Sequence, residues 1–80
     1  MKHYQDIFTK IKDAIAKASR NQATAEMHLQ MIKYADQLES ITAKEFCEGT
    51  DLGASYGTEF SKMRNITTRL KAAGLDVNKI

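Results

Sequence analysis

The chain is 80 residues long, room for one small domain over 1–80 and no second core, because a chain of this size buries only about 60% of its unfolded surface. With 42% hydrophobic and 28% charged residues, no apolar run near the ~20 residues that span a bilayer, and a single cysteine, it reads as a soluble globular module with no membrane span and no internal disulfide. The net charge of +2 is too small for composition alone to announce nucleic-acid binding.

The opening Met1-Lys2-His3-Tyr4-Gln5-Asp6 turns acidic and amphipathic where a secretory signal needs a continuous apolar stretch, so the expected location is cytoplasmic. From Tyr4 onward, Ile7, Phe8, Ile11, Ala14, Ile15 and Ala18 recur three and four apart, which predicts a first helix with one buried stripe. Ser19-Arg20-Asn21-Gln22 interrupts that pattern, and Thr24 is the expected cap of a second helix running to about Glu39. Its stripe is Met27, Met31, Tyr34, Ala35 and Leu38, widened by Leu29 and Ile32 into a face broad enough for two neighbours. The chain has no proline, and its first glycine is Gly49, so the strong breakers are absent from these two helices.

Thr42-Ala43-Lys44-Glu45 has the form of a capping box and predicts a short third helix over residues 42–48. Gly49-Thr50-Asp51-Leu52-Gly53 predicts a tight turn, with Ser55 as the cap of a fourth helix. In that helix Tyr56, Phe60, Met63, Ile66 and Leu70 keep helical spacing up to Ala73, and Gly74 is the expected left-handed stop. Leu75 and Val77 then dock the tail or leave it frayed. No segment alternates with a period of two long enough for a strand. The fold class is therefore all-α, a compact four-helix domain with a helix-turn-helix-like pair formed by helices three and four.

In such a pair the second helix enters the major groove and the first braces it across the backbone. Phe46, Leu52 and Phe60 supply the buried positions around the turn, and Cys47 takes the small-residue position at the helix crossing. Two positions depart from the usual pattern: Asp51 stands where the turn glycine is expected, and Gly57 where an apolar residue is expected. Residues 61–71 hold Lys62, Arg64, Arg69 and Lys71 with no acid, a local basic face. Lys44, Lys62 and Arg69 are the candidate phosphate contacts, and Ser55, Thr58 and Asn65 the short hydrogen-bonding side chains suited to bases or backbone near the helix start. Tyr56 suits stacking or a phosphate contact, or equally the core, while Glu59 opposes phosphate approach.

His28-Leu29, Ile32-Lys33-Tyr34-Ala35 and Gly53-Ala54-Ser55-Tyr56-Gly57-Thr58-Glu59 resemble a family of small bacterial proteins and domains described as HTH-like. The resemblance covers roughly residues 25–70, and the Ser-Tyr-Gly-Thr-Glu stretch is its most specific part; Glu48-Gly49-Thr50-Asp51 departs from it. It implies a helix-turn-helix-like fold, with DNA binding or transcriptional regulation as the associated function.

The remaining candidates for chemistry have plain packing roles. His28 beside Met27 and Met31 reads as a hydrogen-bonded packing residue, and Cys47 as a small buried side chain whose reactivity Glu45 and Glu48 oppose. Met27, Met31 and Met63 suit an adaptable surface or an irregular core. No nucleophile-base order, phosphate-binding glycine loop, paired acids or metal-ligand spacing stands out, so no catalytic residue, metal, cofactor or small-molecule substrate is expected. The expected function is sequence-specific binding of double-stranded DNA by a small bacterial transcriptional regulator, with a homodimer matching a two-fold operator. The rival is a helical protein-protein interaction module, an adaptor or inhibitor.

Overall fold

The structure, a computed structural model, describes residues 4–80; residues 1–3, part of the stretch read for an export signal, lie outside the described residues. The chain forms α1 (Tyr4–Lys17), α2 (Ala23–Lys33), α3 (Ala43–Thr50) and α4 (Gly57–Ala72), with 3₁₀ turns over Ala54–Tyr56 and Val77–Lys79. The described residues contain no strand, and no helix among them is long and apolar enough to cross a membrane. α1 packs on α2 and α3, and α4 packs on the same two, so the four helices close a ring around one core. The broad face of α2 thus meets two neighbours.

Phe46 and Phe60 are fully buried at the centre, their rings stacked 4.1 Å apart and 9° from parallel, with Phe8 meeting Phe46 edge-on at 6.2 Å. Ile11, Met27, Met31, Leu38, Ile41 and Cys47 complete the core, and Leu52 and Met63 pack against it partly buried. The expected hinge of Phe46, Leu52 and Phe60 is therefore present. Every buried side-chain nitrogen or oxygen among the described residues has a partner; Gln30, for example, donates to Glu26 at 2.6 Å within α2.

Three local expectations are corrected. Thr24 does not cap α2: the helix begins at Ala23, straight off a turn in which Asn21 is left-handed at φ 71° and the Gln22 N–H bonds the Ser19 carbonyl at 2.9 Å. The second helix also stops at Lys33 rather than near Glu39. Residues 34–40 make successive turns that still bury Ala35 and Leu38, so the apolar spacing persists although the helix does not. Third, Gly49 belongs to α3 and not to the turn. A Cβ there would stand 2.2 Å from Cε2 of Phe8, so glycine is needed for the approach of α1 rather than for backbone freedom. Gly74 does end α4 as expected, at φ 114°, with the Leu75 N–H reaching back to the Leu70 carbonyl and the Gly74 N–H to Lys71, both at 3.0 Å. The tail turn then rests against α2.

Candidate functional site

The corner between α3 and α4 is built from local bonds. The Thr42 hydroxyl accepts from the Glu45 N–H at 3.0 Å while the Glu45 carboxylate accepts from the Thr42 N–H at 2.8 Å, the capping box the sequence predicts. At the other end of α3, Asp51 takes a left-handed conformation, φ 61° and ψ 21°, and the Leu52 N–H turns back to the Cys47 carbonyl at 3.1 Å. Asp51 therefore serves as the turn residue in the place of the expected glycine, a conformation Asp adopts more readily than most side chains. Gly57 is the point of closest approach: a Cβ there would lie 3.3 Å from Ala43 Cβ and 3.8 Å from Cys47 Sγ. The two departures from the usual pattern thus have physical reasons in this corner.

Ser55 does not cap α4. It sits inside the 3₁₀ turn, where the Tyr56 N–H bonds the Gly53 carbonyl at 3.0 Å and backbone groups do the capping, so its exposed side chain is left outside the corner. Along α4 the inward residues are Gly57, Phe60 and Thr67, buried, with Met63 and Leu70 half-buried beside them. Thr58, Lys62, Asn65 and Arg69 are all exposed, and spacings of four, three and four put them on one face, opposite the core. None of these four side chains has a hydrogen-bond or ion-pair partner among the described residues.

The predicted basic face divides. Arg64 turns inward: its Nη1 donates to the carbonyls of Leu38 at 2.9 Å and Ile41 at 2.7 Å, and its guanidinium carbon lies 4.6 Å above the centre of the Phe60 ring. Lys71 is held by the carboxylate of Asp36. Lys62 and Arg69 alone of that run remain as uncommitted cations. Glu59, expected to repel phosphate, instead faces α2, where its Oε1 lies 3.0 Å from Nε2 of His28. His28 thus has the packing role expected of it, as one end of a bridge between α2 and the first turn of α4.

Lys44 is exposed on α3 and lines a cleft of about 380 Å³ together with Ala43, Cys47, Glu48, Leu52, Ala54 and Gly57. None of the α4 stripe residues lines this cleft, and Glu48, one turn along α3, shares its wall with Lys44. Tyr56 is at the surface rather than in the core, with its ring beside Gly53. Cys47 is 5% exposed, and burial pushes its thiol pKa up, the opposite of an activated nucleophile. On α4 the sequence reading misplaces one residue and misses another. Ile66, assigned to the apolar stripe, is 42% exposed, while Thr67, given no role, is buried with its hydroxyl donating to the Met63 carbonyl at 2.7 Å. The signal was present in the wheel: Phe60, Met63 and Leu70 fix an inward direction that passes through position 67 and misses 66.

The family model described as an HTH-like domain matches residues 3–73. No curated protein and no solved structure matches the chain.

Proposed function

Because the chain belongs to the HTH-like domain family, we propose that it binds double-stranded DNA sequence-specifically through the outward face of α4, as a small bacterial transcriptional regulator working in the cytoplasm, with 1–80 acting as a single domain. The observation that carries this reading is the division of α4. On its inward side Glu59, Arg64, Thr67 and Lys71 all have partners within the fold, whereas Thr58, Lys62, Asn65 and Arg69 form an exposed stripe with no internal partner, preceded in the 3₁₀ turn by the exposed Ser55. Lys62 and Arg69 suit phosphates, and Ser55, Thr58 and Asn65 suit base edges or backbone at the start and middle of the helix. Tyr56 in the preceding turn and Lys44 on α3 are exposed as well and complete the proposed set of contacts.

From Thr58 to Arg69 the stripe is about 16 Å long at ~1.5 Å per residue, the length of a half-site and not of a full operator. A homodimer presenting two such helices about 34–36 Å apart completes the reading, and it offsets the weak attraction of a +2 monomer for phosphate. No catalytic role is assigned to any residue.

The test is a titration of the protein against duplexes selected from genomic fragments, at two salt concentrations. The proposal expects affinity to fall steeply with salt, with a selected duplex bound more tightly than its scrambled version. Absence of salt-sensitive binding to every duplex rejects it in favour of a protein-interaction module, whose apolar contacts respond weakly to salt.

A further inference from the structure

One large apolar side chain on the outward half of α4 is exposed. Ile66 is 42% exposed; it stands one turn after Lys62, three residues before Arg69 and next to Asn65. Single exposed isoleucines are ordinary on protein surfaces. The surroundings of this one are unusual, because the two cations and the amide beside it have no internal partner, and the nearest acid on the helix, Glu59, is engaged by His28. A partner that complements both features is anionic and offers an apolar group about the size of a methyl near its charges. Duplex DNA has one such group in the major groove, the C5 methyl of thymine.

We propose that Ile66 is a specificity residue that packs on a thymine methyl beside an adenine read by Asn65, so that the sequence preferred by α4 contains an A·T step at that point. This rests on the reading of α4 as the DNA-binding helix. Lys62 and Arg69, on either side, hold the backbone at the register in which Asn65 reaches adenine N6 and N7 in the bidentate geometry an amide allows, and Ile66 meets the methyl of a neighbouring thymine. The contact adds discrimination and not general affinity, since removing it leaves every phosphate contact in place.

The experiment replaces each thymine of a selected duplex in turn by deoxyuridine, which lacks only the methyl, and measures binding by fluorescence anisotropy. The wild-type protein is expected to lose about fourfold in affinity at one or two positions, the size set by removing one buried methyl. Ile66→Ala should bind the thymine and deoxyuridine duplexes alike, and Ile66→Val, which keeps a branched pair of methyls, should retain part of the preference. Lys62→Ala should bind everything more weakly with the thymine preference intact. Salt-dependent duplex binding with no deoxyuridine position that matters, or an Ile66→Ala protein that discriminates as well as the parent, overturns the assignment of Ile66 and leaves DNA binding standing. Loss of self-association on Ile66→Ala in sedimentation, without thymine discrimination in the parent, overturns it in favour of a contact between two copies of the chain. Failure to bind any duplex overturns the underlying reading instead, and this inference with it.

Discussion

On the inward side of α4, Arg64 donates to two carbonyls of the α2–α3 connection and covers the Phe60 ring; on the outward side, Lys62 and Arg69 meet no protein group among the described residues. These cations lie within seven residues of one another and are alike in composition. Their roles differ because of what lies opposite each. Residues 34–40 leave the helix, so the Ile41 carbonyl takes its donor from position 64, which also reaches the Leu38 carbonyl that accepts from the Ile41 N–H at 3.3 Å. Positions 62 and 69 face solvent. A basic run on a helix is therefore not one patch: the charges that fasten the fold and the charges open to a partner are sorted by their angle about the helix axis.

The sharpest way to break the inward half is at its centre. Phe60→Ala removes a ring stacked on Phe46 and covered by Arg64, and should cost about 3–5 kcal/mol. In a chain this small that is most of the stability, so circular dichroism should show it largely unfolded near 37 °C. A melting temperature within a degree or two of the parent would contradict the packing described.

Arg64→Ala comes next. Two charge-assisted hydrogen bonds and a cation–π contact are lost, an expected cost of about 2–3 kcal/mol, or roughly 10–20 °C in Tm. Arg69→Ala should change stability by no more than about 0.5 kcal/mol. If denaturant midpoints for the two variants coincide, the division of α4 is wrong.

The packing of α1 on α3 gives a smaller effect. Gly49→Ala drives a Cβ into the Phe8 ring and should cost about 1–3 kcal/mol, readable by thermal melting. An unchanged melt would show that α1 does not press on α3 as described.

The parts of this fold that were legible in the sequence are the locally determined ones. The capping box at Thr42 and Glu45 and the glycine stop at Gly74 each involve residues within a few positions of one another, and the Phe46–Leu52–Phe60 hinge follows from apolar spacing across one turn. The end of α2 was not legible, because the donor that satisfies Leu38 and Ile41 comes from 26 and 23 residues away. Gly49 was read as turn freedom when the deciding contact is with Phe8 on another helix. At the candidate site the sequence reading grouped Lys62 and Arg69 with Arg64 and Lys71 as one basic face, whereas the structure puts Lys62 and Arg69 with Thr58 and Asn65 on the exposed side. What was not legible is which neighbouring charges the protein uses for itself, since Asp36, His28 and the two carbonyls that engage Lys71, Glu59 and Arg64 all lie outside any window on α4.

If the outward face of α4 is the surface presented to a partner, a two-dimensional ¹⁵N–¹H NMR titration of the protein with a selected duplex reads it residue by residue. Amide shifts and line broadening should concentrate at residues 55, 58, 62, 65, 66 and 69 and at the corner around residue 56, with α1 little changed. Perturbations centred on α1 or on the exposed face of α2 around Leu29, with the α4 stripe silent, would contradict it.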